Sequence, residues 1–129
     1  MERAQKLTTS LDLTNIQFER GLGSEINYQA EFGQVWLIDS LHWMSEWREC
    51  LRRSCRSLVD NGSLFLCYSI FSPRIRIPQA EVVTELVRAG MDLQDLTFQD
   101  SQAHSPRAFI SAKKQAPEMG RLVIPSFIV

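Results

Sequence analysis

Two apolar runs separated by one amphipathic helix constrain this chain more than any other feature. "FGQVWLID" (32–39) and "SLFLCYSIF" (63–71) are near-continuous in apolarity rather than alternating. Continuous apolarity predicts a strand covered on both faces, the usual state inside a parallel sheet. Between them Trp43, Trp47, Leu51, Cys55 and Leu58 recur at close to helical spacing and predict a helix with one buried stripe. Ser45 is placed to cap that helix, with Glu46 and Glu49 near its positive end. "VDNG" then stops it by turn chemistry, Gly62 taking the position where positive φ costs least.

The flanks extend the pattern. Glu2 to Thr9 predict a helix with Ala4, Leu7 and Leu11 on one side, and "LTNIQFERG" predicts a short strand ending at Gly21. Residues 22–31 read as a polar loop. Beyond the loop "SPRIRIP", Pro78 suits the first turn of a helix whose apolar face is Val82, Val83, Leu86 and Val87, closed by Gly90. "MDLQDLTF" and "RAFISAKK" predict a terminal strand pair, and "RLVIPSFIV" is an apolar tail broken by Pro125. Strand, helix, strand, helix, strand, strand is the order of an α/β domain with right-handed parallel crossovers. Residues 1–114 are expected to form that domain and 115–129 a tail.

Charge and cysteine usage exclude several classes. The 129 residues, the length of one domain, carry a net charge of −1, so no basic surface marks a nucleic-acid or anionic-membrane partner. Arg48, Arg52, Arg53 and Arg56 form a local cluster toward a helix end, where cations complement the macrodipole, and read as a solvated face rather than a phosphate patch. Cys50, Cys55 and Cys67 form no CxxC pair and the two histidines lie far apart, so no metal site is expected, only free, mostly buried thiols. "MERAQKLTTS" has no apolar signal region, and no run approaches the roughly 20 residues that span a bilayer. A soluble, cytoplasmic protein is expected.

The central unit resembles the second half of a class I S-adenosylmethionine-dependent methyltransferase of the small-molecule kind. "FGQVWLIDSLHWM" matches that family's fourth strand and the turn after it through Phe32, Leu41, His42 and Trp43, and "SLVDNGSLFLCY" matches the turn into the fifth strand through Leu58 and Gly62. "PQAEVVTELVRAGMDLQDLTF" resembles the helix and turn before the sixth strand, "RAFISAKK" the last, antiparallel strand, and "LTNIQFERGLGSEI" the third strand and its loop. The resemblance implies a partial Rossmann-like methyltransferase fold over about residues 1–114. It also implies that the glycine-rich loop and the ribose-binding acidic residue, which end the family's first two strands, are not in this chain. "FERGLGSE" offers Glu19, Gly21 and Gly23, but with Glu25 where a third glycine is usual, and too few residues remain before Phe32 for two more strands and helices. It reads as the loop after the third strand.

By the same resemblance, Gly21 and Leu22 in that loop, Leu37 and Ile38 at the tip of the fourth strand, and Trp43 take cofactor-side positions. Arg74 and Arg76, in the loop after the fifth strand, take substrate-side positions. Leu22 stands where the family offers adenine an Asp, Gly33 replaces the Asp of Phe-Asp, and Leu37 and Ile38 replace polar groups near the methyl-transfer centre. Each buried polar partner left unpaired costs about 1–3 kcal/mol, so S-adenosylmethionine affinity is expected to be poor or absent. Asp39 and His42 are weak candidates for a carboxylate-oriented base, against the plainer reading of a structural histidine; His104 reads as a solvated loop residue.

Two functions stay open: a methyltransferase-like domain related to the small-molecule methyltransferases, either a fragment or inactive by itself, or a non-catalytic, methyltransferase-derived interaction or scaffold protein acting through homo- or hetero-association. The family's strand order of three, two, one, four, five, seven, six would leave the fourth strand as an open edge here. That edge is expected to be met by the strand near Ile16, by a second copy in a homo-oligomer, by a complementing chain, or by the apolar tail "RLVIPSFIV", which Pro125 limits to an edge position.

Overall fold

The computed structural model describes residues 1–70, 76–101 and 104–116. Its elements are α1 (Glu2–Ser10), β1 (Phe32–Ile38), α2 (Trp47–Ser57), β2 (Leu58–Ser69), α3 (Gln79–Arg88), β3 (Met91–Ser101) and β4 (His104–Lys114), with short 3-10 turns at Gly23–Glu25 and Leu41–Trp43. The four strands form one sheet in the order β1-β2-β4-β3. β1 and β2 are parallel, joined through α2, and β4 runs antiparallel to both β2 and β3. This is the strand order four, five, seven, six that the resemblance implies.

Alternation along β2 separates the two faces. Leu64, Leu66 and Tyr68 point to one side, where they meet Ala108, Ile110 and Ala112 of β4, Leu51 and Cys55 of α2, and Val82 and Leu86 of α3. All are buried, and a fully buried leucine contributes about 1.5–3 kcal/mol relative to an exposed one. Pro78 precedes α3, and Gly90 ends it with φ of 80°, a left-handed conformation that glycine adopts without strain. Gly90 does what the sequence predicts, while Pro78 is the N-cap, one residue before the first turn in which the sequence places it. Cys50, Cys55 and Cys67 are free and buried, as expected.

Among the described residues the opposite face is open. Trp36 is 59% and Ile38 53% exposed, and Trp36 stacks on Phe65 with ring centroids 4.2 Å apart. The expectation that "FGQVWLID" is covered on both sides is therefore corrected: α2 and α3 cover one face, and no described helix covers the other. Only Val35 and Leu37 of β1 pack against the core.

Several local expectations change with it. No strand forms between Ser10 and Phe32; Ile16 is 46% exposed, and the sheet ends at β1 rather than gaining a strand there. A short stretch without a ladder partner has nothing to satisfy extended backbone groups. α1 forms as predicted but buries no residue. The N-cap of α2 is Glu46, without a side-chain cap bond, rather than Ser45. Trp43 leaves the core stripe, 59% exposed, because the Leu41–Trp43 turn precedes the helix and buries Leu41 instead. Val87 is also exposed, while Glu85 on the same helix is buried. The arginine cluster is engaged with acids: Arg48 with Glu81 at 2.7 Å, Arg53 with Glu49 at 2.8 Å and Arg52 with Glu49 at 2.9 Å. Of the tail, residues from 117 onward lie outside the described part, as does most of the "SPRIRIP" loop.

Candidate functional site

Asp39 follows β1 with φ of 53°, a left-handed conformation that Asp tolerates better than most residues. Its N–H donates to the Cys67 carbonyl at 2.8 Å, which pins the turn to β2. The carboxylate accepts a hydrogen bond from Arg107 Nη1. Arg107 stands near the start of β4, where the β2–β4 register sets it opposite Ser69. Its guanidinium holds the Asp39 carboxyl below the usual carboxylate value, and its Nη1 also reaches Cys67 Sγ at 3.9 Å.

His42 lies in the Leu41–Trp43 turn and is 7% exposed. Its Nδ1 accepts the Ser69 backbone N–H at 3.2 Å, so the neutral ring carries its proton on Nε2. Burial pushes its pKa down from 6.5, and the nearby Asp39 charge opposes that shift. Asp39 and His42 thus meet at one strand end and sense each other's charge, but each is bonded elsewhere. The carboxylate-oriented base pair anticipated from sequence is not formed. An Nδ1 that accepts a backbone N–H has no proton to give a carboxylate, and the carboxylate is engaged by Arg107.

The buried histidine sets a pH dependence. Below pH 6.5 the unfolded chain takes up a proton that folded His42 resists, so stability falls as pH drops from 6.5 and levels off below the folded pKa. Asp39, with its lowered pKa, loses its contribution only further down, as pH falls from 3.8 through its folded value. Denaturant unfolding at pH 6.5 and at successive steps below it should therefore show a loss of stability that His42→Gln removes. Equal pH slopes for the two proteins would contradict the assignment.

The remaining sequence candidates do not converge. Leu37 packs on the core side and Ile38 on the open face. The exposed Trp43 ring lies 5.4 Å from the His42 ring. Gly21 and Leu22 line a separate hollow with Glu19 and Tyr28, which no strand-end residue shares. The tight glycine in that loop is Gly23, where a Cβ would lie 3.0 Å from Cys50 Sγ and from Met44 Sδ; its smallness serves packing against α2. Arg76 is exposed just before α3, and Arg74 lies outside the described residues. No cluster of metal-ligating side chains occurs among the described residues, and no described helix is long and apolar enough to cross a membrane.

What sequence reading missed is the open-face groove. Trp36, Ile38, Phe65, Cys67 and Phe109 line about 410 Å³ of it, next to the Asp39–Arg107 pair. Alternation would have put Phe65 and Cys67 on one face; that no described helix lies over that face was not legible.

This sheet order, with its strand-end turn beside an antiparallel last strand, defines a class: the chain has the fold of the class I S-adenosylmethionine-dependent methyltransferases. Among solved structures, the cyclase SpnF superposes with a TM-score of 0.75 at 17% identity, over 88% of this chain and 62% of its own. The 1,6-didemethyltoxoflavin-N1-methyltransferase of Burkholderia thailandensis, solved with S-adenosylhomocysteine, gives 0.70 at 16% identity, over 88% and 56%. The magnesium protoporphyrin IX methyltransferase of Synechocystis PCC 6803, solved with S-adenosylmethionine, gives 0.68 at 17% identity, over 88% and 53%. The chain thus spans between half and two thirds of these three proteins. No family model matches the sequence, and no curated protein matches it.

Proposed function

We propose that this chain is a methyltransferase-type half-domain, related to the small-molecule methyltransferases, that takes no cofactor by itself and works by association with a polypeptide that completes the sheet. The observation that carries the reading is the open side of the sheet: β1 ends it, and Trp36, Ile38, Phe65 and Phe109 form an apolar surface that no described element covers. Apolar patches of this kind on a soluble domain mark interaction sites. Methyltransferase neighbours solved with S-adenosylmethionine or its demethylated product support the class.

The residues present do not fit the cofactor. A nucleoside ligand needs a carboxylate for its ribose and a close backbone approach. The carboxylate at these strand ends belongs to Asp39 and is held by Arg107, while Leu22, Leu37 and Ile38 offer no hydrogen-bonding side chain. That donor set favours a second reading, a non-catalytic interaction protein on the same scaffold. A cyclase among the structural neighbours illustrates that fold does not fix reaction.

Thermal unfolding with and without about 1 mM S-adenosylmethionine or S-adenosylhomocysteine tests the reading. A ligand at a hundred times its Kd adds about 2.7 kcal/mol of stability, a rise of several degrees in Tm. No shift is expected; a concentration-dependent rise would overturn the half-domain reading.

A further inference from the structure

The outer edge of β1 is well defined. The Asp39 N–H points at β2, so by alternation the N–H and C=O groups of Val35 and Leu37 also point inward and those of Gln34, Trp36 and Ile38 point outward. No described segment bonds to these outward groups. Between Phe32 and Ile38 the strand has no proline and no charged residue, and its register irregularity falls at Phe32–Gln34, at one end. The devices that normally discourage edge pairing are missing along most of its length.

The edge is also self-complementary. An antiparallel pairing with β1 of a second copy, centred on Val35, sets Gln34 opposite Trp36 and Phe32 opposite Ile38, identically in both halves. The outward-pointing residues Gln34 and Trp36 then fall opposite each other, as residues that exchange both ladder bonds must. Centring on Trp36 instead would set Phe32 against Ser40, beyond the strand.

Phe32, Trp36 and Ile38 are 39%, 59% and 53% exposed. At about 200 Å² for a large side chain, they leave roughly 300 Å² uncovered per copy. With the strand backbone, a paired interface would bury about 1,000 Å² in total, the lower end for a specific complex.

We propose that the chain forms a twofold-symmetric dimer through β1–β1 pairing, joining two four-stranded sheets into one. The inference rests on the open β1 edge of the half-domain reading, and a completing polypeptide would compete for the same edge. An interface at this lower end goes with weak, reversible association, for which a dissociation constant on the order of 10–100 μM is expected.

Light scattering across about 1 to 500 μM is expected to show the mass rising from 14.8 kDa toward twice that value. Val35→Cys, facing itself at about 4.5 Å between Cα atoms, should form a disulfide-linked dimer on oxidation, while the wild type, whose three cysteines are buried, should not. Trp36→Lys should stay monomeric at the top concentration with an unchanged circular dichroism spectrum. Gln34→Lys, at an exposed position, repeats that test if Trp36→Lys unfolds. A monomer at the top concentration would overturn the dimer, as would a dimer that Val35→Cys does not cross-link and the lysine variants leave intact. A monomer that also ignores S-adenosylmethionine removes the dimer and leaves the half-domain reading standing; saturable cofactor binding removes that reading whatever the mass.

Discussion

Leu64→Ala is expected to destabilise this chain by about 2–5 kcal/mol, the range for a large-to-small change at a fully enclosed site. Leu64 is 0% exposed, sits on β2 between Val35 of β1 and Ala112 of β4, and belongs to the layer beneath α2 and α3. Small domains hold only about 5–15 kcal/mol in all, and among the described residues a single helical layer is available to refill the space. The loss should appear as a lower urea midpoint at nearly constant slope. Leu96→Ala, at a position 47% exposed, should fall within about 0.5 kcal/mol of wild type. A Leu64→Ala loss below about 1 kcal/mol would mean that the helical layer does not close over β2 as described.

The second large effect concerns the irregular start of β2, where the register with β1 shifts between Leu58 and Ser63. Sequence reading assigns the positive φ to Gly62, but the residue that holds it is Asn61, with φ of 65°. Gly62 is needed for space: a Cβ there would lie 2.8 Å from the Val59 carbonyl oxygen and 3.2 Å from that of Gly33. Both obstacles are backbone, and the second belongs to β1, so neither yields as a flexible side chain would. Gly62→Ala should therefore cost about 1–3 kcal/mol, the usual range for overpacking. Asn61→Gly should be neutral or stabilising, because glycine adopts the left-handed region freely, while Asn61→Ala should cost about 1 kcal/mol. The reverse ranking, with Asn61→Ala neutral, would restore the assignment of positive φ to Gly62.

The parts of the fold that were legible are those written in local pattern. The runs at 32–39 and 63–71, the helical stripe from Trp47 to Leu58, and the Pro78 and Gly90 boundaries of α3 each carry their own signal, while the strand order came only from the family resemblance. What covers a strand is not local. "VWLI" reads as doubly buried because its composition suits that state, yet in this chain Trp36 and Ile38 face outward. The pairing of Asp39 with Arg107 spans 68 residues, so neither residue announces the other; only the sheet order brings the start of β4 within reach of the end of β1, across β2. Trp43 was misplaced for a different reason, since its spacing fits the helix that begins four residues later.

The open β1 edge is the claim on which the rest depends, and amide hydrogen exchange read residue by residue tests it most directly. At about 1 μM, below the range expected for self-association, the amides of Gln34, Trp36 and Ile38 should exchange at rates close to those of solvated amides, while those of Val35, Leu37 and Asp39 are slowed by bonds to β2. Uniform slow exchange across residues 34–39 at that dilution would show that the edge is already covered within one copy, and would contradict both the half-domain reading and the dimer built on it.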